Sequence, residues 1–166
     1  MATPTTLPAT FVSGAVLTAA QMNDLRGAFR VLQVVTGTTA AQTSRSLTSY
    51  VDTTLTATIT PTSTSSKILV FVNHPSCERS SGNSGNAINM NLQRNGSDIS
   101  TIIRYGGATA TAMTLVFGIA TSYMDSPASV AALTYKTVFA NEVAASVVTV
   151  QQNSLASSII LMEISA

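Results

Sequence analysis

Catalysis needs a poised acid, base, nucleophile or metal, and this chain has few groups to offer: one histidine, one cysteine and seven carboxylates. His74 and Cys77 stand in an H-x-x-C spacing. That spacing suits two zinc ligands, but no second pair exists to complete four. As a nucleophile and its base, the two would share one short stretch, whereas such pairs join distant segments. We read them as strand-end and loop residues. Asp24, Asp52, Glu78, Asp98, Asp125 and Glu142 are dispersed, and no two form a sequence-local pair suited to acid–base work. Glu163 is the exception in context, because it interrupts the apolar run Ile159-Ile160-Leu161-Met162 before Ile164. A carboxylate there must point to water or pair with a cation such as Arg30 or Arg45. The pattern predicts no catalytic, metal or cofactor residues. An enzyme, resting on His74 and Glu163, is the weakest of three functional alternatives.

Binding chemistry is only slightly better represented. There is no glycine-rich phosphate loop, and Gly106-Gly107 reads as a turn. Asn95-Gly96-Ser97 matches a glycosylation sequon, but Asn-Gly is also the strongest short hairpin signal. We read it as turn chemistry. Sugar sites usually stack rings on aromatic side chains, yet the chain has no tryptophan, and its four tyrosines fall mostly in strand patterns. Tyr105, beside the two glycines, is the one candidate exposed ring. Residues 75–85 form the longest polar excursion and are expected to be an outward loop. Glu78, Arg79, Asn83 and Tyr105 are the candidate outward ligand contacts.

These groups must be held by strands. Residues 53–59 alternate Leu55, Ala57 and Ile59 against threonines, which marks a half-buried strand. Residues 67–72 are apolar on both faces, as expected of a central or interface strand. Residues 88–93 alternate Ile88, Met90 and Leu92 with Asn and Gln, and Asn95-Gly96 returns the chain through residues 99–103. Further strands are predicted over 111–121, 133–139, 146–151 and 158–164. Eight or nine strands without an intervening helical pattern predict a mainly β fold, an antiparallel jelly-roll-like β-sandwich.

Ahead of it lies a different pattern. Thr18 and Gln21 form a T-x-x-Q capping box, and Leu17 and Met22 occupy staple positions. Met22, Leu25, Phe29 and Leu32 are spaced 3, 4, 3 as one apolar stripe. Val31-Leu32-Gln33-Val34-Val35 favours strand, so the helix is expected to end near Arg30. The expected organisation is an extended docking arm over 1–16, an amphipathic helix over 17–30 and a β-sandwich over 31–166. A lone stripe must be covered, by the open end of its own sandwich, by copies of itself, or by a larger assembly. Phe11, Leu17, Met22, Leu25, Phe29 and Leu32 are the expected trimer or anchor contacts.

Composition narrows the partners. Of 166 residues, 45% are hydrophobic but only 9% are charged, against a usual figure of about 25%. Net charge is +1, which gives no electrostatic case for nucleic acid or an anionic membrane. Mean hydropathy is +0.33, yet no apolar run approaches the roughly 20 residues of a spanning helix. The N-terminus lacks the basic and apolar regions of a signal peptide, so synthesis in a cytoplasm is expected. One cysteine excludes an intrachain disulfide.

Three patches carry a resemblance. Phe11-Val12-Ser13-Gly14-Ala15-Val16-Leu17-Thr18-Ala19-Ala20-Gln21-Met22-Asn23, the passage from Ile59-Thr60-Pro61 to Ser65-Ser66-Lys67-Ile68-Leu69-Val70, and Ser157-Ser158-Ile159-Ile160-Leu161-Met162-Glu163-Ile164 resemble segments of small virion proteins of tailed bacteriophages. The resemblance implies a homotrimeric β-sandwich knob displayed on a phage particle as a short fibre, a capsid decoration or a tail appendage. It implies partners among other virion proteins, reached through residues 1–30, and a place on the virion surface. A host-receptor or glycan-binding knob is the second alternative.

Overall fold

The structure, a computed structural model, describes Val16 and residues 30–165. The expected arm and helix, with Phe11, Leu17, Met22, Leu25 and Phe29, lie outside the described residues. What is described is mainly β and antiparallel. The strands are β1 (Val31–Thr39), β2 (Thr43–Arg45), β3 (Val51–Ile59), β4 (Lys67–Arg79), β5 (Ile88–Arg94), β6 (Ser97–Gly106), β7 (Leu115–Asp125), β8 (Leu133–Asn141), β9 (Val148–Val150) and β10 (Ser157–Ile164). A 3₁₀ turn, Gln152–Ser154, joins the last two.

Two sheets result. The larger runs β1-β10-β4-β9-β2, with β7 on the other side of β4. The smaller runs β3-β8-β5-β6. The period-2 burial that the sequence shows is what packs them. Leu55, Ala57 and Ile59 of β3 point inward, as do Ile68, Val70 and Val72 of β4 and Ile159 and Leu161 of β10. They close with Leu92 and Tyr135 of the smaller sheet into one apolar cluster. A second cluster gathers Cys77, Met90, Phe139, Val148 and Val150.

Local chemistry sets the turns. Asn95 and Gly96 have φ of 50° and 83° and link β5 to β6 directly, the two-residue hairpin that Asn-Gly favours. Gly37 answers a close approach. A Cβ there would lie 2.0 Å from the Thr56 carbonyl oxygen, where edge strand β1 passes β3.

Three expectations are corrected. Leu32 lies in β1, one residue past its start, so it is not a fourth position of a helical stripe. The strand propensity of Val31 to Val35 wins over the 3–4–3 spacing. Residues 75–79 are not loop but the end of β4, and the register shift between His74 and Cys77 accommodates Pro75. The strand predicted from residue 111 begins at Leu115 and continues to Asp125.

Candidate functional site

The chemistry-bearing residues are mostly sealed inside. His74 is wholly buried between the sheets. Its Nδ1 lies 2.8 Å from the Ser157 hydroxyl, and its Nε2 lies 3.1 Å from the Thr137 hydroxyl. Turning the Gln151 amide oxygen toward the ring lets it accept from Nδ1–H at 3.1 Å and from Ser157 at 2.9 Å. The amide nitrogen then donates to the Ala41 and Val150 carbonyls. This network fixes a neutral imidazole, and burial lowers its pKa to about 4. Cys77 is buried beside the His74 carbonyl, and burial raises its thiol to about 12, far from a reactive thiolate. His74 and Cys77 are therefore interior strand residues, where a strand end and loop were expected. Among the described residues, no group of three or more His, Cys, Asp or Glu gathers as metal ligands.

Glu163 corrects the expectation of water or a cation. It is fully buried and bound only by neutral donors. The Thr62 N–H and Thr62 hydroxyl both donate to Oε1 at 2.7 Å, and the Gln33 amide donates to Oε2 at 2.6 Å. Burial raises the carboxyl pKa, but hydrogen bonds led by those of Gln33 and Thr62 outweigh it and bring it to about 2. Arg45 turns instead to the Ser49 carbonyl, at 2.9 Å. The ion pairs among the described residues lie elsewhere, at Arg94–Asp125 and Lys136–Asp52.

The candidate outward contacts separate. Arg79 is wholly buried, so it is not an outward contact. Its guanidinium donates to the Gly107 carbonyl at 3.3 Å, to the Thr109 hydroxyl, and to the Asn83 carbonyl at 2.6 Å. It ties the loop after β4 to the loop after β6. The Asn83 side chain also turns inward on its loop, accepting from Gly85 N–H at 2.7 Å. Glu78, in β4, accepts from the Gln152 amide at 2.6 Å. Tyr105 differs: it is 59% exposed at a left-handed φ of 56°, held there by its N–H donating to Asn89 Oδ1 at 3.0 Å.

The largest unexplained feature is a face rather than a pocket. Register places Val34, Met162, Leu69 and Met124 side by side across β1, β10, β4 and β7. The neighbouring row, Val35, Leu161, Val70 and Tyr123, points into the core. Alternation therefore turns the first row outward. Two residues along lies Thr36, Ile160, Phe71 and Ser122, then Thr38, Ser158, Asn73 and Ala120. Those twelve positions include no charged residue. A shallow groove between the second and third rows is lined by Phe71, Asn73, Ala120, Ser122, Ser158 and Ile160. Neither a family model nor a curated protein matches the chain. Sequence reasoning singled out residues 67–72 as apolar on both faces, but the four-strand row needs a register that no single strand reveals. Large exposed apolar patches are where proteins meet other proteins, membranes or ligands.

Proposed function

We propose that this chain is a non-enzymatic structural protein of a bacteriophage particle. It acts as a homotrimeric knob or short fibre on the virion surface, attached to capsid or tail through residues 1–30. The observation that carries this reading is the charge-free apolar row on the outer face of the larger sheet, a surface suited to assembly. Strand order adds support. Numbered along the chain, the eight longer strands run first-eighth-third-sixth in one sheet and second-seventh-fourth-fifth in the other. We read this as a jelly roll, two four-stranded sheets folded over one core. Low charge and strands rich in Thr fit a displayed module, and the phage-like patches in the sequence supply the setting.

Light scattering of the purified full chain tests the trimer. A mass near three times the 17.2 kDa chain is expected, and a stable monomer at micromolar concentration overturns it. Removing residues 1–16 is expected to abolish occupancy on the particle, measured by imaging of assembled particles, and unchanged occupancy overturns the anchor role. A second reading, a host-receptor or glycan-binding knob, has Tyr105 in its favour. Its ring is exposed on a strained backbone next to the loop junction that Arg79 ties. Binding on a glycan array that Tyr105→Ala removes would support it.

A further inference from the structure

The geometry points to a second copy of this chain as the partner of the outer face of the β1-β10-β4-β7 sheet, with Val34 and Met124 at opposite margins of one cyclic seam. This deepens, and rests on, the trimer proposed above. Three observations lead to it. The first is the gradient along the face. Its most apolar row lies nearest the start of β1, and the rows become polar toward Thr38 and Asn73. Arg30 enters at the apolar end, where its N–H donates to the Ser165 hydroxyl at 2.9 Å. Twenty-nine residues precede it, including the Met22, Leu25 and Phe29 stripe. The most apolar row therefore lies at the end of the face where residues 1–29 join the chain, the residues proposed above to gather three copies.

The second observation is electrostatic. Across the twelve outward positions there is no charge to recruit an acidic or basic partner, and of the cations that flank them Lys67 is turned to the Ser126 hydroxyl at 3.0 Å. A charge-free face fits a partner that is itself charge-poor, and only 9% of this chain is charged. The third is where exposure concentrates. Val34 and Met124, at the two edges, are 53% and 46% exposed, whereas Met162 and Leu69 between them are half-buried. The row thus presents its most open side chains at two different edges. A contact that joins one edge of a copy to the other edge of the next is heterologous, the kind of contact that makes a ring when its rotation closes, as the proposed trimer requires.

The test uses the full chain in three forms: wild type, Val34→Lys with Met124→Lys, and Met22→Lys with Leu25→Lys. Light scattering reads the mass, and circular dichroism reads the fold. The expected result is a wild-type trimer and a folded Val34/Met124 variant whose trimer–monomer midpoint rises at least tenfold in concentration. A monomeric wild type overturns the trimer reading and this inference together. A trimeric wild type with an unchanged Val34/Met124 variant overturns this inference alone, and dissociation only in the Met22/Leu25 variant then places the seam wholly in the N-terminal segment. Should the lysine variant not fold, hydroxyl-radical footprinting of the wild type decides. Met124 and Met162 are expected to be protected at high concentration and exposed on dilution, while Met113, on the loop before β7, stays reactive throughout. Equal reactivity of Met124 and Met162 at both concentrations overturns the inference.

Discussion

At the scale of single residues, two buried titratable groups give the protein an acid-sensitive interior. His74 is neutral in the folded state, with a pKa near 4 against 6.5 when exposed. Its contribution is fully present above pH 6.5 and is lost as pH falls toward 4, on the order of 3 kcal/mol. Urea unfolding at pH 7.5, 6 and 4.5 is expected to show that decline, and His74→Gln is expected to flatten it at some cost in stability at pH 7.5. Glu163 acts lower on the scale. Its carboxyl is held down to about 2 from 4.5, so its contribution is present above pH 4.5 and is lost as pH falls toward 2. Glu163→Ala strands the Thr62 N–H and the Gln33 amide, and is expected to lower stability by about 2–3 kcal/mol in chemical denaturation at pH 7. Neither environment is legible in the sequence. The apolar run flags Glu163 as odd, but its donors Gln33 and Thr62 are 130 and 101 residues away, and neutral donors leave no charge signature. Arg79 misleads for a similar reason: among Ser, Asn and Gly its polarity reads as exposure, while its burial depends on carbonyls of the two loops that cover it.

Among the elements, period-2 alternation reveals the longer strands, because each buries one face and wets the other. The hairpin at Asn95-Gly96 is legible for the same local reason, since only a few residue pairs accept two consecutive positive φ values. The three-residue strand β2 is too short to display a period, β9 is found within the predicted 146–151, and Pro75 hides the continuation of β4. Gly37 makes the packing of the elements testable. A methyl there would collide with the Thr56 carbonyl, so Gly37→Ala is expected to cost about 2–3 kcal/mol in thermal or urea unfolding. Gly96→Ala meets no neighbour and pays only for its left-handed backbone, about 1 kcal/mol. The contrast between them separates a close approach between sheets from a turn requirement.

For the whole molecule, the outer rows become visible only when four strands from distant parts of the chain are brought into register. The sequence marks residues 67–72 as apolar on both faces, but it cannot say that Val34, Met162 and Met124 stand beside Leu69. An assembly formed on a face without charge is expected to be indifferent to salt. The trimer midpoint is expected to move less than twofold between 50 and 500 mM NaCl in sedimentation measurements, because there are no ion pairs to screen. A strongly salt-dependent midpoint would assign the seam to another, charged surface.

The position of β10 also sets an order of events during synthesis. Residues 157–164 lie between β1 and β4, and among the described residues β1 pairs with no other strand. The strand made first in the larger sheet must wait for the strand made last. While a ribosome is still extending the chain, Val34 and its neighbours have no sheet to join. Pairing over such sequence distances is slow and leaves apolar strand edges open in the interval. Any seam built on the β1 face therefore forms only between finished chains. For the trimer proposed above, copies should meet only once residues 157–164 have been made, and a chain stalled before residue 157 should neither assemble nor block the assembly of its neighbours.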